Sequence, residues 1–203
     1  MKKSNFTGLG LLVIFLAFSL LTESLYAHCD GIKGPVVTSA QKALETGNVN
    51  YALIWVSKDN EETIKNLFNK SLEVRKHGTD ARELADMYFF ETLVRLHRNG
   101  EGEEYNGLKM TDEDVPAVIH AADLAIETGN KDELLTFFKK KLDKKAVESK
   151  LNEVLSKKQF DINDLQAGRS YVKSYTEFIH FAAGLSGNKE PEEREKTRHK
   201  IHG

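Results

Sequence analysis

Cysteine is almost absent from this chain: Cys29 is the only one. A single cysteine cannot close an internal disulfide, so its thiol is free, paired between chains or bound to something else. Proline is scarce as well, three in 203 residues, which suits long helices. Net charge is close to nil, −2 at pH 7. Such a balance argues against nucleic acid or an anionic membrane surface as the partner. No GxSxG, HExxH, phosphate-loop or dinucleotide-binding glycine motif occurs, and nothing supports a serine or cysteine hydrolase triad. Nor does any apolar run reach the roughly 20 residues that span a bilayer.

The longest apolar run is LGLLVIFLAFSLL, residues 9–21. Lys2 and Lys3 precede it, and Thr22, Glu23 and Ser24 follow, ahead of Leu25, Tyr26 and Ala27. This is the layout of a cleavable secretory signal. Residues 1–27 are therefore expected to be removed after Ala27, leaving an exported protein, periplasmic or extracellular, with no stable membrane association.

The full chain is 40% hydrophobic and 30% charged, which is ordinary for a globular protein. Periodicity predicts an all-α helical bundle over residues 28–185. Residues 28–37 carry Gly31, Gly34 and Pro35 and read as an entry segment rather than a helix. A helix is expected over about 38–46, stopped by Gly47-Asn48. Asp59 with Glu62 resembles a capping box for the next helix, which runs to His77-Gly78. Residues 83–98, ELADMYFFETLVRLHR, are apolar around most of the circumference and predict a central helix. The glycine-rich, acidic stretch 99–111 reads as a loop long enough to carry function. A helix over about 112–128, with Pro116 in its first turn, stops at Gly129-Asn130. One or two helices follow over 131–158 and a last one over 164–185. Residues 186–203 are almost wholly polar and read as a disordered charged tail.

The two halves look like copies. Ala43 to Asn48 and Ala125 to Asn130 share an A-x-E-T-G-N ending 82 positions apart. A shift of 83 then sets Phe68 on Leu151, Leu72 on Leu155, Tyr88 on Tyr171 and His97 on His180. Two pseudo-equivalent halves of about three helices each, near 35–98 and 115–183, are expected. Shared helical periodicity alone is the competing explanation.

The sharpest chemical feature follows from the cut after Ala27. The new chain would begin with His28 and Cys29, presenting an α-amine, an imidazole and a thiol to one metal, with nickel, copper or zinc as candidates. Against this, His28 is an accident of the cleavage point and Cys29 packs as a small apolar residue. His97, His120 and His180 lie on helices and are candidate ligands from the bundle. Glu91 and Glu101 are candidate ligands or carboxylates that orient a histidine. Each histidine also has a structural alternative. His97 can satisfy carbonyls at a helix C-terminus, and His120, flanked by Ile119 and Ala121, can be a satisfied core residue. Asp86 and His97 share a helix face but stand 11 residues apart, about 16 Å along the axis, so they cannot bind one metal together. Glu177 and His180 have the i, i+3 spacing of carboxylate-bridged di-metal bundles, but the first half has Val94 where Glu177 would repeat.

The segments HCDGIKGPVV (28–37), YFFETLVRLHRNGEGEEYNGLK (88–109) and AGRSYVKSYTEFIH (167–180) resemble an uncharacterised bacterial family of exported helical proteins, a domain of unknown function. The resemblance implies export and helices and brings no activity. The opening is also similar to the metal hook of nickel superoxide dismutase, a four-helix bundle, through His28, Cys29, Asp30 and Gly34. Ile32 and Lys33 stand where that hook has a proline and its second cysteine. With one thiolate in place of two, the resemblance implies metal capture by amine, imidazole and Cys29 rather than nickel redox chemistry. Two functions follow. One is an exported metal-binding helical protein with a redox or metal-handling role. The other is a non-enzymatic ligand-binding or protein-interaction module whose histidines are structural.

Overall fold

The computed structural model describes residues 28–111 and 115–186. The expected signal segment and most of the expected charged tail lie outside them. The described residues form eight α-helices and no strand, so the protein is all-α. No described helix is long and apolar enough to cross a membrane.

The chain divides into two compact units. Among described residues the first contains 28–52, 56–111 and 115, and the second contains 53–55 and 116–186.

In the first unit, α1 spans Pro35–Thr46. It begins earlier than expected because Pro35 occupies the first helical turn, where its fixed φ fits and its missing N–H costs nothing. Gly47 closes it in the left-handed conformation, φ 70°. A short helix, α2 (Asn50–Leu53), starts in this unit and its last residue belongs to the second. The expected capping box is replaced by a 3-10 turn, Lys58–Asn60, that leads into α3, Glu61–Val74. The longest helix, α4, spans Thr79–Glu101 and runs one turn past its expected end, through Gly100, until Gly102 takes φ 76°. Its buried stripe includes Phe89 and Leu93, both fully enclosed, and Phe89 packs on Phe68 of α3 at 5.9 Å. It is not apolar-buried all round, since Leu84 is 73% and Tyr88 63% exposed.

In the second unit, α5 is Ala117–Thr128, α6 Asp132–Thr136, α7 Lys141–Lys157 and α8 Leu165–Ser186. Pro116 precedes α5 as its cap rather than sitting within its first turn. Asp164 caps α8, its carboxylate accepting from the Ala167 N–H at 2.9 Å.

The internal bonding of one unit recurs in the other. α1 and α5 have the same length and lie 82 positions apart. Thr46 donates its hydroxyl to the Lys42 carbonyl, and Thr128 to that of Leu124, each at 2.7 Å. The Asn48 side-chain oxygen accepts from the Asn50 N–H at 3.0 Å, and that of Asn130 from Asp132 at 2.9 Å. A cation after the second long helix caps the first in both: Arg75 donates to the Leu44 carbonyl at 3.0 Å, and Lys158 to that of Ile126 at 2.8 Å. The threonine and cation bonds go to carbonyls near the helix C-termini, and the asparagine bonds serve N–H groups just beyond them.

Candidate functional site

Four of the buried polar residues, His28, Asp30, His97 and Arg98, belong to the first unit, with His97 and Arg98 at the C-terminal end of α4. Residues 28–34 enter as a tight turn, with the Gly34 N–H donating to the Gly31 carbonyl at 2.8 Å. The stretch after α4 returns alongside this turn. Lys109 N–H donates to the Asp30 carbonyl and Ile32 N–H to the Lys109 carbonyl, both at 2.8 Å. The Glu103 N–H donates back to the Arg98 carbonyl at 3.0 Å, closing the helix end. His28, Cys29 and Asp30 are thereby enclosed, with 7%, 5% and 2% of their surface exposed.

Arg98 is the centre of this region. It is 1% exposed, among the largest fully buried side chains. Three carboxylates surround its guanidinium: Asp30 at 3.4 Å, Glu101 at 3.6 Å and Glu103 at 3.8 Å. His97, 4% exposed, sets Nε2 3.5 Å from the Glu101 carboxylate. A charge taken out of water needs compensation of this kind, because the desolvation penalty amounts to several kcal/mol per ion. Burial pushes the Asp30 carboxyl up to about 6; Arg98 and Lys109 pull it down, and Glu101 pushes it further up. Burial, then the Glu91 carboxylate, also holds the Tyr105 phenol well above its ordinary range. The region is thus a buried cation wrapped in acids that locks the entry segment to α4 and to residues 102–111.

The seven ligand candidates fall as follows. His28, Cys29, Glu91, His97 and Glu101 belong to the first unit, and His120 and His180 to the second. His120 is exposed on α5, so it is not a core histidine; His180 is half-buried on α8, and Glu91 is exposed on α4. Among the described residues no group of three or more His, Cys, Asp or Glu side chains has the geometry to hold a metal ion. Asp86 pairs with Arg75 at 3.0 Å, away from any histidine role. Sequence reasoning missed Arg98, Asp30 as its partner, Glu103 and Lys109. The available signal was an arginine placed beside His97 at the end of a mostly apolar helix.

A pH dependence follows from Asp30. Its folded pKa, about 6, lies above the ordinary 3.8, so folding favours the protonated form. The stability it contributes is fully present below 3.8 and is lost as pH rises through 6. Urea midpoints measured from about pH 5 to about pH 7.5 should fall as pH rises, and Asp30→Asn should flatten that slope. An unchanged slope in the variant would assign the dependence to another group.

Fold and site together define an all-α protein of two similarly bonded units, one of which carries a buried ion-pair lock. Residues 33–181 match a family of unknown function (DUF6448), and the chain belongs to that family. The match includes Arg98 and Glu101 and begins after the His28-Cys29-Asp30 triplet. No curated protein and no solved structure matches the chain.

Proposed function

We propose that this protein is an exported, non-catalytic binding module, built of two copies of one helical unit, in which the entry triplet and the buried histidine serve the fold. The observation that carries the reading is the enclosure of His28, Cys29 and Asp30, with Asp30 paired to the buried Arg98. Asp30 is engaged with Arg98, and among the described residues no three such donors have the geometry to share a metal ion. Burial also suits a lone thiol outside the cytoplasm, where an exposed one would be oxidised or cross-linked. The layout of residues 1–27 supports export, and the recurring cap and turn bonds support the two-copy reading.

A second reading retains metal handling with nickel, copper or zinc. It is favoured by the presence of His28, Cys29, His97 and Glu101 in one unit, to which cleavage after Ala27 would add an α-amine. The two readings separate in one experiment, in which the full chain is expressed, recovered from outside the cytoplasm, and subjected to intact mass spectrometry and metal analysis. The expected result is a start at His28 and the same trace metal content in the parent and in Cys29→Ser. Stoichiometric metal in the parent that is lost in Cys29→Ser would overturn the binding-module reading in favour of metal handling.

A further inference from the structure

The first unit has an open apolar groove of about 340 Å³ between α3 and α4. Leu67, Ser71 and Val74 line one wall, Leu84, Ala85 and Tyr88 the other, and Lys70 supplies the sole charge among the described lining residues. Leu84 and Tyr88 remain largely exposed beside it.

The second unit shows what such a face takes. Counting 83 positions on, Ala85 corresponds to Gly168 and Tyr88 to Tyr171. There the face is covered. A Cβ on Gly168 would collide with the Ile54 side chain and lie 3.0 Å from the Phe160 ring. Phe160 stacks on Tyr171 at 5.6 Å, and Trp55 meets Tyr175 edge-on at 6.1 Å. Arg169 fastens the covering segment by donating to the Leu53 carbonyl at 3.3 Å. The occupants of the corresponding face are therefore an aliphatic side chain, Ile54, and an aromatic ring, Phe160, while Trp55 lies next to them on Tyr175, beyond the positions that match the groove. In the first unit the position corresponding to Phe160 is His77, which is exposed rather than packed on the groove. The rim charge is also reversed, with Lys70 standing where the second unit has Glu153.

We infer that this groove docks a short segment of a partner protein that brings an aliphatic and an aromatic side chain together, flanked by a carboxylate that meets Lys70. Apolar walls bury the pair, and the single cation selects the flank. The inference rests on the binding-module reading and names its surface and the chemistry of its partner.

The test uses the mature full chain and two fluorescein-labelled peptides patterned on the chain's own covering segment, ELIWVS and KLIWVS, titrated by fluorescence anisotropy. The acidic peptide should bind more tightly than the basic one, and Lys70→Glu should reverse that order. Leu84→Asp, an exposed substitution that leaves the core untouched, should weaken the acidic peptide by about tenfold or more. Thermal melting of each variant confirms that the fold is kept. Failure of the parent to bind either peptide would overturn the inference, as would binding that ignores Leu84→Asp. Self-association lost in Leu84→Asp would also overturn it, by making a second copy the occupant. Metal that depends on Cys29 would remove the broader reading without changing the groove titration, so the two failures are distinguishable.

Discussion

Arg98→Met is expected to lower the stability of the protein by about 3–5 kcal/mol, the usual cost of removing one partner from a buried ion pair. Methionine keeps much of the arginine stem's volume, so the loss reports charge more than packing. In the parent, one guanidinium that is 1% exposed compensates Asp30, Glu101 and Glu103 together. Without it, three carboxylates share a poorly solvated region. The loss should shrink near pH 5, about one unit below the folded pKa of Asp30, because that carboxyl is then protonated in both proteins. It should shrink again when Asp30→Asn and Glu101→Gln are added, since neutral groups no longer need the cation. Urea denaturation of the single and triple variants at two pH values checks both points. A stability within about 1 kcal/mol of the parent, equal at both pH values, would show that water reaches the cluster and that Arg98 is no lock.

Legibility from sequence was uneven for a physical reason. Gly47 and Gly129 mark helix ends because only a residue that tolerates a left-handed φ stops a helix so sharply, and that signal is local. The 82-position echo between the A-x-E-T-G-N endings was likewise visible, and it corresponds to equal helices with the same threonine and asparagine bonds. The Asp30–Arg98 pair was not legible. Its members stand 68 positions apart, and helical-wheel reasoning relates residues only within one helix. Nothing within the helix itself marks Arg98 as the partner of a residue in the entry segment. The same limit explains Leu84 and Tyr88. Periodicity marked this stretch of α4 as apolar but could not tell a covered face from an open one. The histidines drew attention for their metal chemistry, yet the residue that organises the site is one that holds no metal.

Gly34→Ala is expected to be more damaging than Gly168→Ala, the other described glycine where a methyl would collide. Gly34 has φ −69° and ψ 166°, which alanine adopts without strain, so backbone freedom is not what the position requires. Space is. A Cβ there would fall on the His28 carbonyl oxygen and lie 2.9 Å from that of Gly31. Both obstacles are backbone atoms, so no rotamer change relieves them. At Gly168, by contrast, the obstacles are the Ile54 and Phe160 side chains, which can shift. Gly168→Ala should therefore cost about 1–3 kcal/mol, the usual range for overpacking, and Gly34→Ala should exceed it. The entry turn can accommodate the methyl only by opening, which breaks the Gly34–Gly31 hydrogen bond and draws Asp30 from Arg98. Cys29 reports this directly, because it is 5% exposed in the intact turn. A thiol reagent should label the parent slowly and Gly34→Ala rapidly under conditions where the helical signal of both is intact. The same burst of labelling is expected for Arg98→Met, because the turn is held from two sides, by backbone contact at Gly34 and by charge at Arg98. A Gly34→Ala protein that keeps Cys29 protected would mean that the triplet is anchored by something other than this turn, and the structural role assigned to it would fall.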